Sequence, residues 1–279
     1  ASFFIGPCPY LRIMKYRLRV FGKLALIWLI FFEATRVVFL LYQFDLTKGL
    51  NVYEILMPLL LGLRMDLAMT AYWLIIPCLA LTASFFVSDA ITKIIILISF
   101  YLLASFSCIL LTIHFELYHH WNFRMDTTPI FYAGSEGVGS VSVWVVIRLF
   151  LIFCVLTIVL HRAFQKWVRP KLFFSQGKLR DAVLMLLVTA LLFIPIRSSF
   201  SVAPLNTGVV YFHKTKSFPN HAGVNVVWNF LKSIVSDNSV KYPADFLDAE
   251  TTQTAFLKLM DTSGEVDSVL RETRPNVLF

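Results

Sequence analysis

The side chains with which this chain could do chemistry are the ionisable ones that interrupt apolar sequence, since a charge within such sequence is costly and usually has a role. Glu33 and Arg36 stand three residues apart, on one face of any helix that holds them, and read as a self-neutralising structural ion pair. Arg64 and Asp66 stand two apart, so they point to different faces and each needs a partner elsewhere. An arginine at a membrane edge suits a lipid phosphate, because the guanidinium fork matches phosphate oxygens in two parallel hydrogen bonds. His114, Glu116, His119 and His120, followed by Arg124 and Asp126, form the densest polar group of the apolar region. Glu116 with His119 or His120 has the spacing of helical metal ligands, but the outer loops offer no second ligand group except His213 and His221. No metal is assigned there; the group reads as a surface facing lipid headgroups. Arg148 is left isolated and is expected to pair with Glu116 or Asp66. The candidate lipid-binding residues are thus Arg64, Asp66, Glu116, His119 and Arg124.

No catalytic residue is assigned. GxSxG, GxxxxGK[ST], HExxH and dinucleotide fingerprints are all missing from the sequence. The four cysteines show no CxxC or Cys/His spacing, and three of them lie inside apolar blocks as small hydrophobes.

Long apolar elements must position these charges. Hydrophobic residues make up 58% of the chain and charged ones 15%, with a mean hydropathy of +0.72; soluble domains carry about 25% charged residues. Crossing the ~30 Å hydrocarbon layer takes about 20 apolar residues in a helix. Five blocks meet or approach that length: about 22–44, 55–87, 91–116, 141–162 and 181–197. The first is too long for the core of a signal peptide. The second exceeds one upright span, so its start, from Glu54 to Gly62, is expected as an interfacial or re-entrant approach to a span over Leu67–Val87 that Pro77 kinks.

Charge then orients the spans. Arg12, Lys15, Arg17, Arg19 and Lys23 precede the first block, Lys93 follows the second, and Arg162, Lys166, Arg169, Lys171, Lys178 and Arg180 separate the fourth from the fifth. The opposite loops hold only Lys48 and Arg124. The positive-inside rule puts the N-terminus in the cytoplasm and, after five crossings, the C-terminal tail outside. The net charge of +8 therefore belongs to topology, and no nucleic-acid partner is implied. The tail has balanced charge and an amphipathic stretch, Gly223–Val235, that Asn220 or Asn225 would cap; Trp228 and Leu231 are its candidate membrane-interface residues. A second short helix is expected over Thr252–Met260. The fold class expected is all-α: a polytopic membrane protein with five transmembrane helices and an extracytoplasmic helical linker.

Four stretches in this order carry a resemblance: Gly62-Leu63-Arg64-Met65-Asp66-Leu67; His114-Phe115-Glu116-Leu117-Tyr118; Pro204-Leu205-Asn206 through Phe218-Pro219-Asn220-His221-Ala222 to Asn225-Val226-Val227-Trp228-Asn229-Phe230; and Arg274-Pro275-Asn276-Val277-Leu278-Phe279. With the five-span layout, they resemble the N-terminal half of the lipoteichoic acid synthase-like family, phosphoglycerol transferases of the alkaline phosphatase/sulfatase superfamily.

The resemblance implies a division into a cytoplasmic N-terminus (1–23), a five-span domain (24–197), an extracytoplasmic linker (198–270) and the first strand of a catalytic domain (271–279) that this sequence does not contain. It implies a bacterial cytoplasmic-membrane location and a cell-envelope role. The absent domain would hold a divalent metal (Mn or Mg, with Zn or Ca as alternatives), and this chain itself would hold no cofactor. The partners implied are membrane lipids, above all phosphatidylglycerol, and the catalytic domain itself. Phosphoglycerol or phosphoethanolamine transfer is the expected chemistry of the parent. A sulfatase-type hydrolase and a stand-alone membrane binding or transport module are the rival expectations. Nothing before Phe279 separates transfer from hydrolysis.

Overall fold

The computed structural model describes residues 9–132, 141–174, 177–198, 205–236 and 248–260. Every regular element among them is helical. The long helices are α1 (Pro9–Tyr42), α3 (Val52–Ala83), α4 (Asp89–Trp121), α6 (Val143–Trp167) and α7 (Leu179–Leu191), which a short α8 (Phe193–Arg197) prolongs. Single turns α2 (Phe44–Thr47) and α5 (Thr128–Tyr132) lie between them, and a 3-10 turn (Arg169–Lys171) follows α6. The segment after α8 holds a 3-10 turn (Thr207–Val210), α9 (Ser217–Gly223) and α10 (Val226–Ser236). Among the described residues, five stretches are long and apolar enough to cross a membrane: Ile13–Tyr42, Val52–Ala83, Asp89–Trp121, Val143–Lys171 and Leu179–Arg197. The chain is an all-α, multi-pass membrane protein.

Residues Ala1–Ser236 form one compact unit, which takes in both the spans and the segment 205–236. Residues Asp237–Phe279 form a second, whose described element is α11 (Ala249–Met260), an amphipathic helix near the range expected for it. The stretch expected as a catalytic-domain strand, 271–279, lies outside the described residues.

The second span differs from expectation. It is one helix of 32 residues, running through both Pro58 and Pro77, where an interfacial piece and a separate span were expected. Its start explains the difference. Asn51 accepts from the Glu54 amide at 2.9 Å and Glu54 answers to the Asn51 amide at 2.9 Å, a capping box that begins the helix well before the apolar core. Arg64 and Asp66 then need not break it, because each finds a partner outside α3.

Helix α3 is the hub. It packs against α1, α4, α7, α8 and α9, and half of its most apolar window is buried. Helices in lipid gain nothing from hydrophobicity alone, so close packing and polar contacts must hold them together. An aromatic core does the first: Trp28 stacks on Phe32 and lies 5.4 Å from Phe100, which stacks on Phe164 at 4.1 Å. The Trp73 indole, also against Trp28, donates to Ser107 at 3.1 Å. Helix α6 is the outlier, with 6% of its window buried.

The end of the bundle rich in Lys and Arg has its own lock. Arg17, read from the sequence as a topology charge before the first span, is 1% exposed within α1. Its Nε donates to the Ser84 hydroxyl at 2.8 Å, and its guanidinium lies 3.8 Å over the Phe85 ring. Lys23 donates to the Trp167 carbonyl at 3.0 Å, tying α1 to the end of α6.

Candidate functional site

The polar residues of the apolar region gather at the other end of the bundle, under the segment 205–236. Arg36 on α1 is the pivot. Its Nη1 meets Glu33 Oε1 at 2.7 Å, as the spacing predicts, and its Nη2 meets Asp66 Oδ1 on α3 at 2.8 Å. A Cβ on Gly62 would stand 2.3 Å from the Arg36 Cζ, so only glycine lets the guanidinium cross α3 at this level. Arg36 Nε then donates to the Ala222 carbonyl at 3.1 Å. Asn225 caps α10, accepting from the Trp228 amide at 3.0 Å, while its side-chain amide donates to Asp66 Oδ1 at 2.7 Å. Asn220 serves elsewhere, binding the Phe212 and His213 amides.

Arg124 completes the cluster from the loop after α4, which Asn122 ends in the left-handed conformation (φ 54). It is 8% exposed. Nη2 donates to the Ala222 carbonyl at 2.9 Å, Nε to the His221 carbonyl, and Nη1 to His114 Nε2 at 2.5 Å, while Phe39 lies 4.3 Å beneath the guanidinium. The last carbonyls of α9 thus receive two buried arginines, charges suited to the negative end of a helix. Burial pulls the Arg124 guanidinium down to about 9. Burial also lowers the His221 imidazole, and the neighbouring Arg124 charge lowers it further. The Tyr118 hydroxyl lies 3.0 Å from His221 Nδ1. Asp66 Oδ2 has no hydrogen-bond partner among the described residues, and Asp66 lines a cavity of about 20 Å³ together with Thr35, Arg36, Arg124 and Asn225. That is roughly the space of one water molecule.

Further out, the Glu54 carboxylate takes Lys216 Nζ at 2.8 Å and His213 Nε2 at 2.9 Å, fastening the start of α9 to the start of α3. Below α9 and α10 the contacts are apolar: Phe218, Ala222, Val226, Val227, Trp228 and Phe230 are all buried. Trp228 and Leu231, expected at a membrane interface, pack against the helical core, Trp228 buried and Leu231 half-buried.

The expected site residues therefore divide. Asp66 and Arg124 come together in the buried cluster, and every Arg124 nitrogen works inside the protein. Glu116 lies apart, where it accepts from the Tyr42 hydroxyl, from Arg148 Nη2 at 2.7 Å and from His120 at 3.3 Å. The Arg148 contact is one of the two pairings the sequence offered. His119 is exposed beside His120. Among the described residues, no three His, Cys, Asp or Glu side chains converge as a metal site would require. Arg64 is exposed and points away from the cluster. Its Nε donates to the Ser198 hydroxyl at 2.7 Å and its Nη2 to the Ser198 carbonyl, at the left-handed end of α8 (φ 58). Beside it opens a cleft of about 360 Å³ whose walls include Leu67, Phe193 and Pro195.

Sequence reasoning missed Arg17 with Ser84, the role of His114 as acceptor for Arg124, and Asn225 as the second partner of Asp66. Spacing could not find these, because the partners lie 67, 10 and 159 residues apart. Gly62 did leave a signal, as a lone glycine in an apolar helix close to two charges. No protein-family model, curated protein or solved structure matches the chain.

Proposed function

We propose that this chain is the membrane anchor and lipid-presenting portion of a lipoteichoic acid synthase-like transferase, one that moves phosphoglycerol or phosphoethanolamine at the outer face of a bacterial cytoplasmic membrane. The observation that carries the reading is the fixed seat of residues 205–236. They are clamped to the bundle end opposite the Lys/Arg-rich one by Glu54, Arg36, Asp66 and Arg124. A domain that follows such a segment is held near the bilayer at high effective concentration of lipid headgroups. The Lys/Arg distribution makes that end the outer one.

Arg64 is the residue that meets the substrate. It stands level with the end of the fifth span, bound to Ser198 through Nε and Nη2, which leaves Nη1 for a phosphate oxygen beside an apolar cleft. Asp66 and Arg124 support the platform and do not touch lipid. The test is headgroup turnover by the full-length protein in vesicles of phosphatidylglycerol. Arg64→Ala is expected to raise KM about tenfold, the loss of one charge-assisted hydrogen bond, with kcat little changed. Sulfate-ester cleavage by the same preparation would move the reading to the sulfatase branch. Solute or ion flux without lipid turnover would replace it with the transport module.

A further inference from the structure

A second cleft, of about 380 Å³, opens on the opposite half of the bundle, between α4 and α6. Its shape follows from side-chain size. Near the Lys/Arg-rich end the two helices are closed by large groups: Phe100 stacks on Phe164, and Gln165 Nε2 donates to the Tyr101 hydroxyl at 2.9 Å. One turn toward the membrane centre, Ala104 and Ser105 on α4 face Thr157 and Ile158 on α6, and the small side chains of α4 leave the gap. The His161 ring lies 5.6 Å from Tyr101 at the junction, and Arg162 stands beside it on the wall. The cleft is therefore polar and basic at one end and apolar toward the midplane. Arg162 lies five residues before Trp167 at the end of α6, about 8 Å along the axis.

The charges there are unbalanced. Arg162 is exposed and has no hydrogen-bond or ion-pair partner among the described residues, and Lys166 follows one turn on. Helix α6 contains no acidic residue. The two acids of α4 are engaged elsewhere: Asp89 with Lys93 at 2.6 Å and the Phe174 amide, Glu116 with Arg148 at the far end. No carboxylate of either helix neutralises Arg162, and its guanidinium has the geometry to take a phosphate.

We infer that this cleft is a binding site for an anionic glycerophospholipid of the leaflet on the Lys/Arg-rich side. The phosphate sits on Arg162 within reach of His161, and an acyl chain lies along Ala104, Ser105 and Ile158. A basic pocket between spanning helices at this depth is the geometry that selects such lipids. The site is at the opposite end of the bundle from Arg64, so it stands or falls independently of the transferase reading.

The full chain, purified with phosphatidylcholine, is titrated with phosphatidylglycerol, and the lipid carried through detergent exchange is counted by native mass spectrometry. Phosphatidylglycerol is expected to be retained about tenfold more tightly than phosphatidylcholine, and Arg162→Gln to abolish that preference. Ser105→Phe, at an exposed position, fills the gap and is expected to displace both lipids. The melting temperature of lipid-free protein should be unchanged by Arg162→Gln, since no described residue bonds to that side chain. Equal retention of the two lipids, or a preference that survives Arg162→Gln, overturns the inference. Glycerol phosphate that competes as strongly as the whole lipid overturns it too, by reducing the site to an anion contact.

Discussion

The cluster around Asp66 and the cleft between α4 and α6 use the same side chain, arginine, in opposite ways. In the cluster, Arg36 and Arg124 are buried and their donors are consumed by carboxylates, carbonyls and an imidazole of the same chain. In the cleft, Arg162 is exposed and its neighbouring helices carry no carboxylate to meet it. The difference teaches that an intramembrane charge points to a ligand only once its internal partners have been counted. Sequence position offered Arg64 and Arg124 alike as candidates for lipid; judged by partners, Arg124 drops out and Arg162 joins Arg64.

That contrast can be broken most severely at Asp66. Asp66→Ala leaves Arg36 with Glu33 as its one carboxylate among the described residues and removes the anchor of Asn225, and losing one member of a buried charge pair costs about 3–5 kcal/mol. The expected result is a large drop in melting temperature and release of 205–236 to limited proteolysis, whereas Arg162→Gln leaves both unchanged. Gly62→Ala should act through the same arginine with a smaller effect. The new methyl group would overlap the Arg36 guanidinium, and such overpacking costs about 1–3 kcal/mol, read as a lower melting temperature with the Lys/Arg-rich end intact.

The smallest effect concerns pH. Docking lowers the affinity of His221 for protons, because burial and then the Arg124 charge disfavour the imidazolium. When the segment undocks, the imidazole regains an ordinary pKa near 6.5 and binds a proton more readily. Docking stability is therefore fully present above about pH 6.5 and falls as pH drops below it, by at most about 1.4 kcal/mol per pH unit. Proteolysis of the segment 205–236 should quicken on acidification, and His221→Gln should flatten the dependence. A profile with no change between pH 7.5 and 5.5 (about a unit either side of that value) would remove His221 from the latch.

Much of this architecture was legible because its causes are local. Five apolar blocks longer than a soluble helix requires, the Glu33–Arg36 spacing and the cap before Trp228 each lie within a few residues of one another. What stayed hidden depends on contacts across the chain. Hydropathy counts Arg17 as a flanking charge, yet Ser84 and Phe85 give it a buried seat that only packing reveals. The amphipathic pattern of α10 was plain, but an apolar face at the end of a bundle can lie on lipid or on protein, and periodicity does not distinguish them. Asp66 and Asn225 supplied that distinction by meeting 159 positions apart.

The two-arginine cap on α9 also sets a timetable for biogenesis. Asp66 reaches Arg36 as soon as the second span is inserted, but the Ala222 carbonyl that Arg36 also binds lies 186 residues downstream. At translation rates of about 5–20 residues per second, that gap lasts roughly 10–40 s. Arg124 waits through the synthesis of 98 residues for the same carbonyl. Over those 98 residues both arginines stand with part of their final hydrogen bonding unmet. Residues 221–225 supply the missing acceptors, so this end of the bundle closes only once the segment after the fifth span has been made.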